Sequence, residues 1–270
     1  MSDSQLWSAR KKCKAKLISF VREHYQYLKM DETRRMSDCI ADDILSPDVL
    51  TVGFARRFAS YKRATLLLRD KDRLTRLLTD PVRPVQFIFS GKAHPQNIEG
   101  QDSLQELIKF SIDAGAENRL IFIENYDMLI ARHMVQGVDV WLSNPRRPME
   151  ASATSGMKAA MNGVLNIGTL DGWWDEAYQP YLGWAIGHGE ESDNIDSIDN
   201  KESIALFELF ENEVAPLFYD RNDDNIPYNW MAMIRRSINI LGSYFSSHRM
   251  VKLYVKKFYI PASKHLAKQE

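Results

Sequence analysis

Short β-rich apolar runs alternate with helical patterns between residues 48 and 187, and this alternation limits the possible folds more than any other property of the chain. Val49–Ala55, Val85–Ser90, Leu120–Glu124, Val138–Leu142 and Val164–Ile167 read as buried strands, with Gly183–Gly187 a candidate sixth. Between them Ser60–Leu78, Ser103–Ala114 and Asp127–Gln136 carry helical periodicity, with Ser60 placed to cap the first. Strands without polar alternation, each followed by a helix, predict right-handed βαβ units and hence an α/β fold with a parallel sheet covered on both faces. Ligands of such sheets sit at the carboxyl ends of strands. There the pattern gathers Arg56-Arg57, Gly91-Lys92, Glu124-Asn-Tyr126 and the loop of residues 143–158.

Outside the alternating region, residues 6–30 form an amphipathic helical pattern with a basic outer face, and residues 31–47 read as a polar connector. An acidic, turn-rich surface loop is expected at 190–200, followed by helices near 202–218, 228–245 and 248–259. The natural division is an N-terminal helix and connector over 1–47 and a ligand-binding domain with C-terminal helices over 48–270.

One stretch concentrates the chemistry: Glu150-Ala-Ser-Ala-Thr-Ser-Gly-Met-Lys-Ala-Ala-Met-Asn-Gly163. Small residues allow close backbone approach to a ligand, and the free N–H groups of a helix start attract an anion. Asn162-Gly163 has the form of a helix C-cap. Lys158 stands in an otherwise apolar turn, where loss of solvation would favour the free amine as a nucleophile for an aldehyde. A phosphate cradle beside an imine-forming lysine is what pyridoxal phosphate requires; the alternative is an amphipathic helix with Lys158 reaching out to solvent. Upstream, Arg56, Arg57 and Lys62 put three cations at a strand end and the following helix start, a set suited to a phosphate dianion. Taken alone they read equally as arginines solvating a loop.

Glu150-Ala-Ser152, Thr154-Ser155, Met157-Lys158 and Asn162 resemble the cofactor-attachment motif of the α-glucan (glycogen, starch and maltodextrin) phosphorylases. Gly53-Phe-Ala-Arg-Arg57 with Tyr61-Lys62, Ile123-Glu-Asn-Tyr126 and Asp171-Gly-Trp-Trp-Asp175 extend the likeness over nearly the whole chain. The resemblance implies a Rossmann-like domain, the C-terminal half of a GT-B glycosyltransferase. It implies phosphorolysis of α-1,4-glucan to glucose 1-phosphate, with pyridoxal phosphate carried on Lys158. By the same likeness Arg56 meets the cofactor phosphate, with Thr154, Ser155 and Tyr126 around the cofactor. Arg57 and Lys62 would take the substrate phosphate, and Glu150, Ser152 and Ala153 the sugar. The Trp-rich motif reads as a structural wall. Two departures stand out. Ala59 replaces a histidine of many animal and plant members, as in the shorter bacterial type. Ala153 replaces a glycine beside the bound sugar, the mildest exchange provided its φ is negative. Because residues 1–47 cannot replace the family's other half, the resemblance implies either a severed domain or a separately encoded half that needs a partner.

A formal net charge of −1 gives no overall pull toward nucleic acid or acidic membranes, and 44% hydrophobic residues with 26% charged ones exclude disorder. Two cysteines, Cys13 and Cys39, fit a reducing compartment, so a cytoplasmic protein is expected. No run approaches the roughly 20 apolar residues of a membrane span, and the six histidines show no zinc-ligand spacing. Two rivals remain beside the phosphorylase: a catalytically silent cofactor-binding or assembly domain, and a nucleotide-sugar glycosyltransferase. Against the latter, Lys158 stands where such synthases carry a second glutamate. An oligomer is compatible with each.

Overall fold

The computed structural model describes residues 1–29, 43–190 and 194–267. All six predicted strands form: β1 (Leu50–Ala55), β2 (Val85–Ser90), β3 (Leu120–Ile123), β4 (Val140–Ser143), β5 (Leu165–Thr169) and β6 (Gly183–Ile186). They make one sheet in the order β3-β2-β1-β4-β5-β6, parallel throughout. The chain winds outward from β1 to β3, then returns to lay β4 against the other side of β1. In such sheets the ligand crevice lies where the winding reverses, here at the carboxyl ends of β1 and β4.

Helices cover both faces: α1 (Asp3–Lys29), α2 (Lys71–Thr79), α3 (Ile98–Asp113), α4 (Met128–Gly137), α5 (Thr154–Met161), α6 (Trp173–Ala177), α7 (Ile195–Leu209), α8 (Ala215–Tyr219) and α9 (Tyr228–Tyr244); α10 (Ser247–Tyr254) and α11 (Ile260–Leu266) follow with no buried residue. Two-residue alternation sorts the strand side chains between two cores. Leu50, Val52 and Phe54 join Phe87, Phe89, Val140 and Leu142 under residues of α7, α8 and α9, whereas Ala55, Ile88, Ile121 and Trp141 pack with Leu17, Ile18 and Val21 of α1 and Ile130 and Met134 of α4. Burial on both faces is why these strands read as unbroken apolar runs.

Several boundaries differ from expectation. Residues 60–78 are not one helix: a 3-10 turn at Ser60–Lys62 ends at Arg63 in the left-handed region (φ 51°), a second turn covers Leu66–Asp70, and Asp70 then caps α2 by accepting from the Arg73 N–H. The helical period breaks because Arg63 is held elsewhere. Its guanidinium donates to the carbonyls of Asn144 and Pro145 and pairs with Asp199. Ala59, not Ser60, occupies the cap position, with no side-chain cap bond. Helix α3 starts at Ile98 because Asn97 caps it, and α7 starts at Ile195, capped by Asn194, inside the stretch expected to be a loop. Much of the expected connector, residues 30–42, lies outside the described residues.

The basic face of α1 is not wholly outward, for Arg10 and Lys14 are buried at 5% and 2% exposure. Among the described residues no helix is long and apolar enough to cross a membrane.

Candidate functional site

The reversal of winding brings Arg56, just past β1, beside Ser143, the last residue of β4. The Arg56 Nη2 donates to Ser143 Oγ at 2.7 Å, bridging 87 positions of sequence. Close backbone packing makes room for this: a Cβ on Gly91 would lie 2.0 Å from the Arg56 carbonyl oxygen. Glu150 supplies the counter-charge. Its Oε2 accepts from Lys62 Nζ and lies 3.7 Å from Arg56 Nη1. Burial pulls the Arg56 guanidinium down to about 10, against the opposing influence of Glu150, Tyr61 and Tyr126. It therefore stays charged at neutral pH, yet its Nε and Nη1 have no hydrogen-bond partner. Two buried donors on one cation, both unmatched, describe a place for an anion.

Arg57 is not buried with Arg56 and Lys62. It is exposed, with no hydrogen bond or ion pair among the described residues. Tyr126, just before α4, is half-buried, and burial raises its phenol while Arg56 opposes that shift. Of the predicted cations, Arg56 and Lys62 are thus buried and Arg57 is exposed.

The loop after β4 is built to hold Glu150. The Asp171 carboxylate accepts from the Glu150 N–H at 2.8 Å and from the Gly172 N–H at 2.9 Å. The Arg146 N–H donates to the Tyr61 carbonyl, fastening this loop to the turn that carries Lys62. Asp199 braces it from outside: burial would raise its carboxyl, but hydrogen bonds from Arg146 and Arg63 hold it below its ordinary range. Ser143, Asp171 and Arg63 are contributions that sequence reasoning missed. For Asp171 a signal existed, since it opens the motif read as a wall.

Helix α5 follows with no side-chain cap at its start, so its first amides are not matched by a capping oxygen. Trp141 Nε1 donates to Ser155 Oγ at 3.3 Å, and Asn166 Nδ2 to the Gly156 carbonyl at 3.3 Å, seating the helix on β4 and β5. The C-cap forms as expected, with Asn162 closing the helix and Gly163 at φ 73°. Thr154 and Lys158 are exposed and Ser152 and Ser155 half-buried, so the desolvation expected around Lys158 is absent from the described residues.

Ala153 overturns the condition placed on it. As the N-cap of α5 it adopts φ 62°, ψ 52°, in the left-handed region. An L-residue there costs about 1–2 kcal/mol, partly offset because alanine has less freedom to lose on folding than glycine. Ala153→Gly is therefore expected to stabilise the chain by about 0.5–1 kcal/mol, read as a higher urea midpoint at unchanged slope. A lower midpoint would mean that the methyl's packing near Trp173 outweighs the backbone strain.

The chain matches the family model for carbohydrate phosphorylase over residues 9–178. It is 43% identical to glycogen phosphorylase of Aquifex aeolicus across 95% of its own length and 37% of that protein's. It is 42% identical to maltodextrin phosphorylase of Thermococcus litoralis and, equally, to glycogen phosphorylase of Mycobacterium tuberculosis, covering 96% of this chain and 30% of each relative. The chain thus spans only about a third of the length of these relatives. An all-parallel sheet with its cationic crevice at the reversal of winding, and a family match across most of the chain, lead to one conclusion: the chain belongs to the carbohydrate phosphorylase family.

Proposed function

We propose that the chain is the cofactor- and phosphate-binding part of an α-glucan phosphorylase, a glycosyltransferase, corresponding to the family's C-terminal half. In this reading residues 48–270 are the binding domain, and the location is cytoplasmic. Inorganic phosphate attacks the anomeric carbon of a terminal α-1,4-linked glucose, the glycosidic C–O bond breaks, and the departing 4-oxygen takes a proton. The products are glucose 1-phosphate, with retention, and a glucan one unit shorter.

The observation that carries the reading is the pair of unmatched donors on buried Arg56. They fit the phosphate of pyridoxal phosphate, with the uncapped start of α5 nearby and Lys158 as the attachment point on that helix. When bound, the cofactor supplies a phosphate that relays the proton. Arg57, exposed and unengaged, is suited to bind the substrate phosphate, and Lys62 joins it once released from Glu150. That exchange leaves Glu150 free to accept a sugar hydroxyl, beside Ser152 and Ala153. Closing the crevice against water falls to the remainder of a phosphorylase, on this polypeptide or another. In this reading that remainder also covers α10 and α11, which bury no residue within the described chain.

One observation favours a silent cofactor-binding or assembly domain instead: Lys158, Thr154 and Arg57 all face solvent. The phosphorylase and a silent cofactor-binding domain both require the cofactor on Lys158. Incubation with pyridoxal phosphate, borohydride reduction and peptide mass spectrometry should find the pyridoxyl group there and lose it in Lys158→Ala. Labelling of another lysine, or of none, would sink both and leave only an assembly role. Release of glucose 1-phosphate from maltodextrin on mixing with the amino-terminal half of a related phosphorylase separates them, since a silent domain stays inactive.

A further inference from the structure

At the opposite end of the sheet from Arg56, a cavity of about 240 Å³ lies between α1, the chain entering β1 and β4, and the segment after α8. Four cationic residues line it, Arg10, Lys11, Lys14 and Arg221, against two carboxylates, Asp48 and Asp139. The deeper carboxylate is already committed: Asp139 Oδ2 pairs with Lys14 Nζ at 2.5 Å and accepts from the Thr51 N–H at 2.9 Å. Arg10 is buried against carbonyl oxygens of Gln136, Val138 and Asn162, with no carboxylate among its hydrogen-bond partners. Arg221 lies against two rings that touch each other edge to face, its guanidinium carbon 4.7 Å from the Trp7 centroid and 4.8 Å from that of Phe218, and it donates from Nε to the Phe218 carbonyl.

This leaves positive charge in excess. Burial lowers Lys14, Asp139 opposes that shift, and Arg10 and Arg221 add smaller lowering contributions. A second observation is independent of charge. Trp7 lines the cavity at 6% exposure, and its indole Nε1 has no hydrogen-bond partner. A buried donor left unmatched in a cation-rich cavity calls for an acceptor that is also an anion.

We propose that this cavity binds a small phosphate monoester, its phosphate held by the Arg221 guanidinium and the Trp7 indole N–H. The volume exceeds the need of a free phosphate and leaves room for the esterified group. Arg10, in the cavity wall, also donates to the Asn162 carbonyl at the end of α5, so an occupant bears on the helix that carries Lys158. The site is independent of the crevice and of the activity proposed there.

Indole N–H resonances of the ¹⁵N-tryptophan-labelled chain provide the test, with the Trp7 signal assigned by its loss in Trp7→Phe. Titration with phenyl phosphate, and separately with inorganic phosphate, should move that signal saturably, and phenyl phosphate should have the lower midpoint. Arg221→Gln should raise the midpoint at least ten-fold. A phosphate bound only in the Arg56 crevice leaves the Trp7 signal in place, and that result overturns the proposal, as does a midpoint unchanged in a folded Arg221→Gln. If Arg221→Gln does not fold, the wild-type response of the Trp7 signal decides.

Discussion

Asp139→Ala is expected to cost about 3–5 kcal/mol of folding stability, a large share of the roughly 5–15 kcal/mol that an ordinary domain has. Asp139 and Lys14 are each 3% exposed on the side chain and sit 2.5 Å apart. Removing the carboxylate leaves an ammonium in the interior with the Val49 carbonyl and the face of the Phe218 ring as its contacts among the described residues, orphans the Thr51 N–H, and does so beside Arg10 and Arg221. The cost is that of an uncompensated charge, not the net worth of the pair, and a second variant separates the two. Asp139→Ala with Lys14→Met removes both ions and should recover a large share of the loss, because apolar replacement of a whole buried pair is often near neutral. Urea unfolding of the three proteins checks this. A loss under about 1 kcal/mol in the single variant would mean that Lys14 is not held as a buried cation.

Glu150→Gln should behave differently, because its loss is one that a ligand repairs. Neutralising Glu150 deprives Lys62 and Arg56 of their shared carboxylate in a site where each side chain is at most 10% exposed. The expected cost is about 2–4 kcal/mol, discounted from the fully buried case because the crevice opens to water. Phosphate should then raise the melting temperature more in Glu150→Gln than in the wild type, since it no longer competes with a resident carboxylate. Equal rises in the two proteins would show that Glu150 and phosphate do not share these cations.

The sheet was legible in the sequence because strands buried on both faces leave no polar alternation, and β1 to β6 all read that way. The interruption of residues 60–78 was not legible. Nothing in the local pattern shows that Arg63 leaves the helical region to bind Asn144, Pro145 and Asp199, contacts made 81, 82 and 136 positions away. The site followed the same rule. Arg56, Lys62 and Glu150 stood out through strand-end position and motif resemblance, whereas Ser143 and Asp171 act only through folding contacts 87 and 21 positions away. Lys14 and Arg10 were placed on the wrong side of α1 because periodicity marks a cation as outward, and that expectation is reversed by partners distant in sequence, Asp139 for Lys14 and the Gln136, Val138 and Asn162 carbonyls for Arg10.

The fastening of α1 also bears on the order in which the chain comes apart. Arg10 reaches the Asn162 carbonyl across 152 positions, and Arg235 reaches Asp3 across 232, so α1 closes long loops. Closing long loops is entropically unfavourable until other contacts exist, so this helix is expected to dock after the sheet has formed and to open before it. Its departure takes the Arg10 bond away from the closing turn of α5, while β1 to β6 keep their own ladders. Native-state hydrogen exchange should accordingly find the amides of α1 and of Asn162–Val164 opening together, at a free energy below that of the sheet.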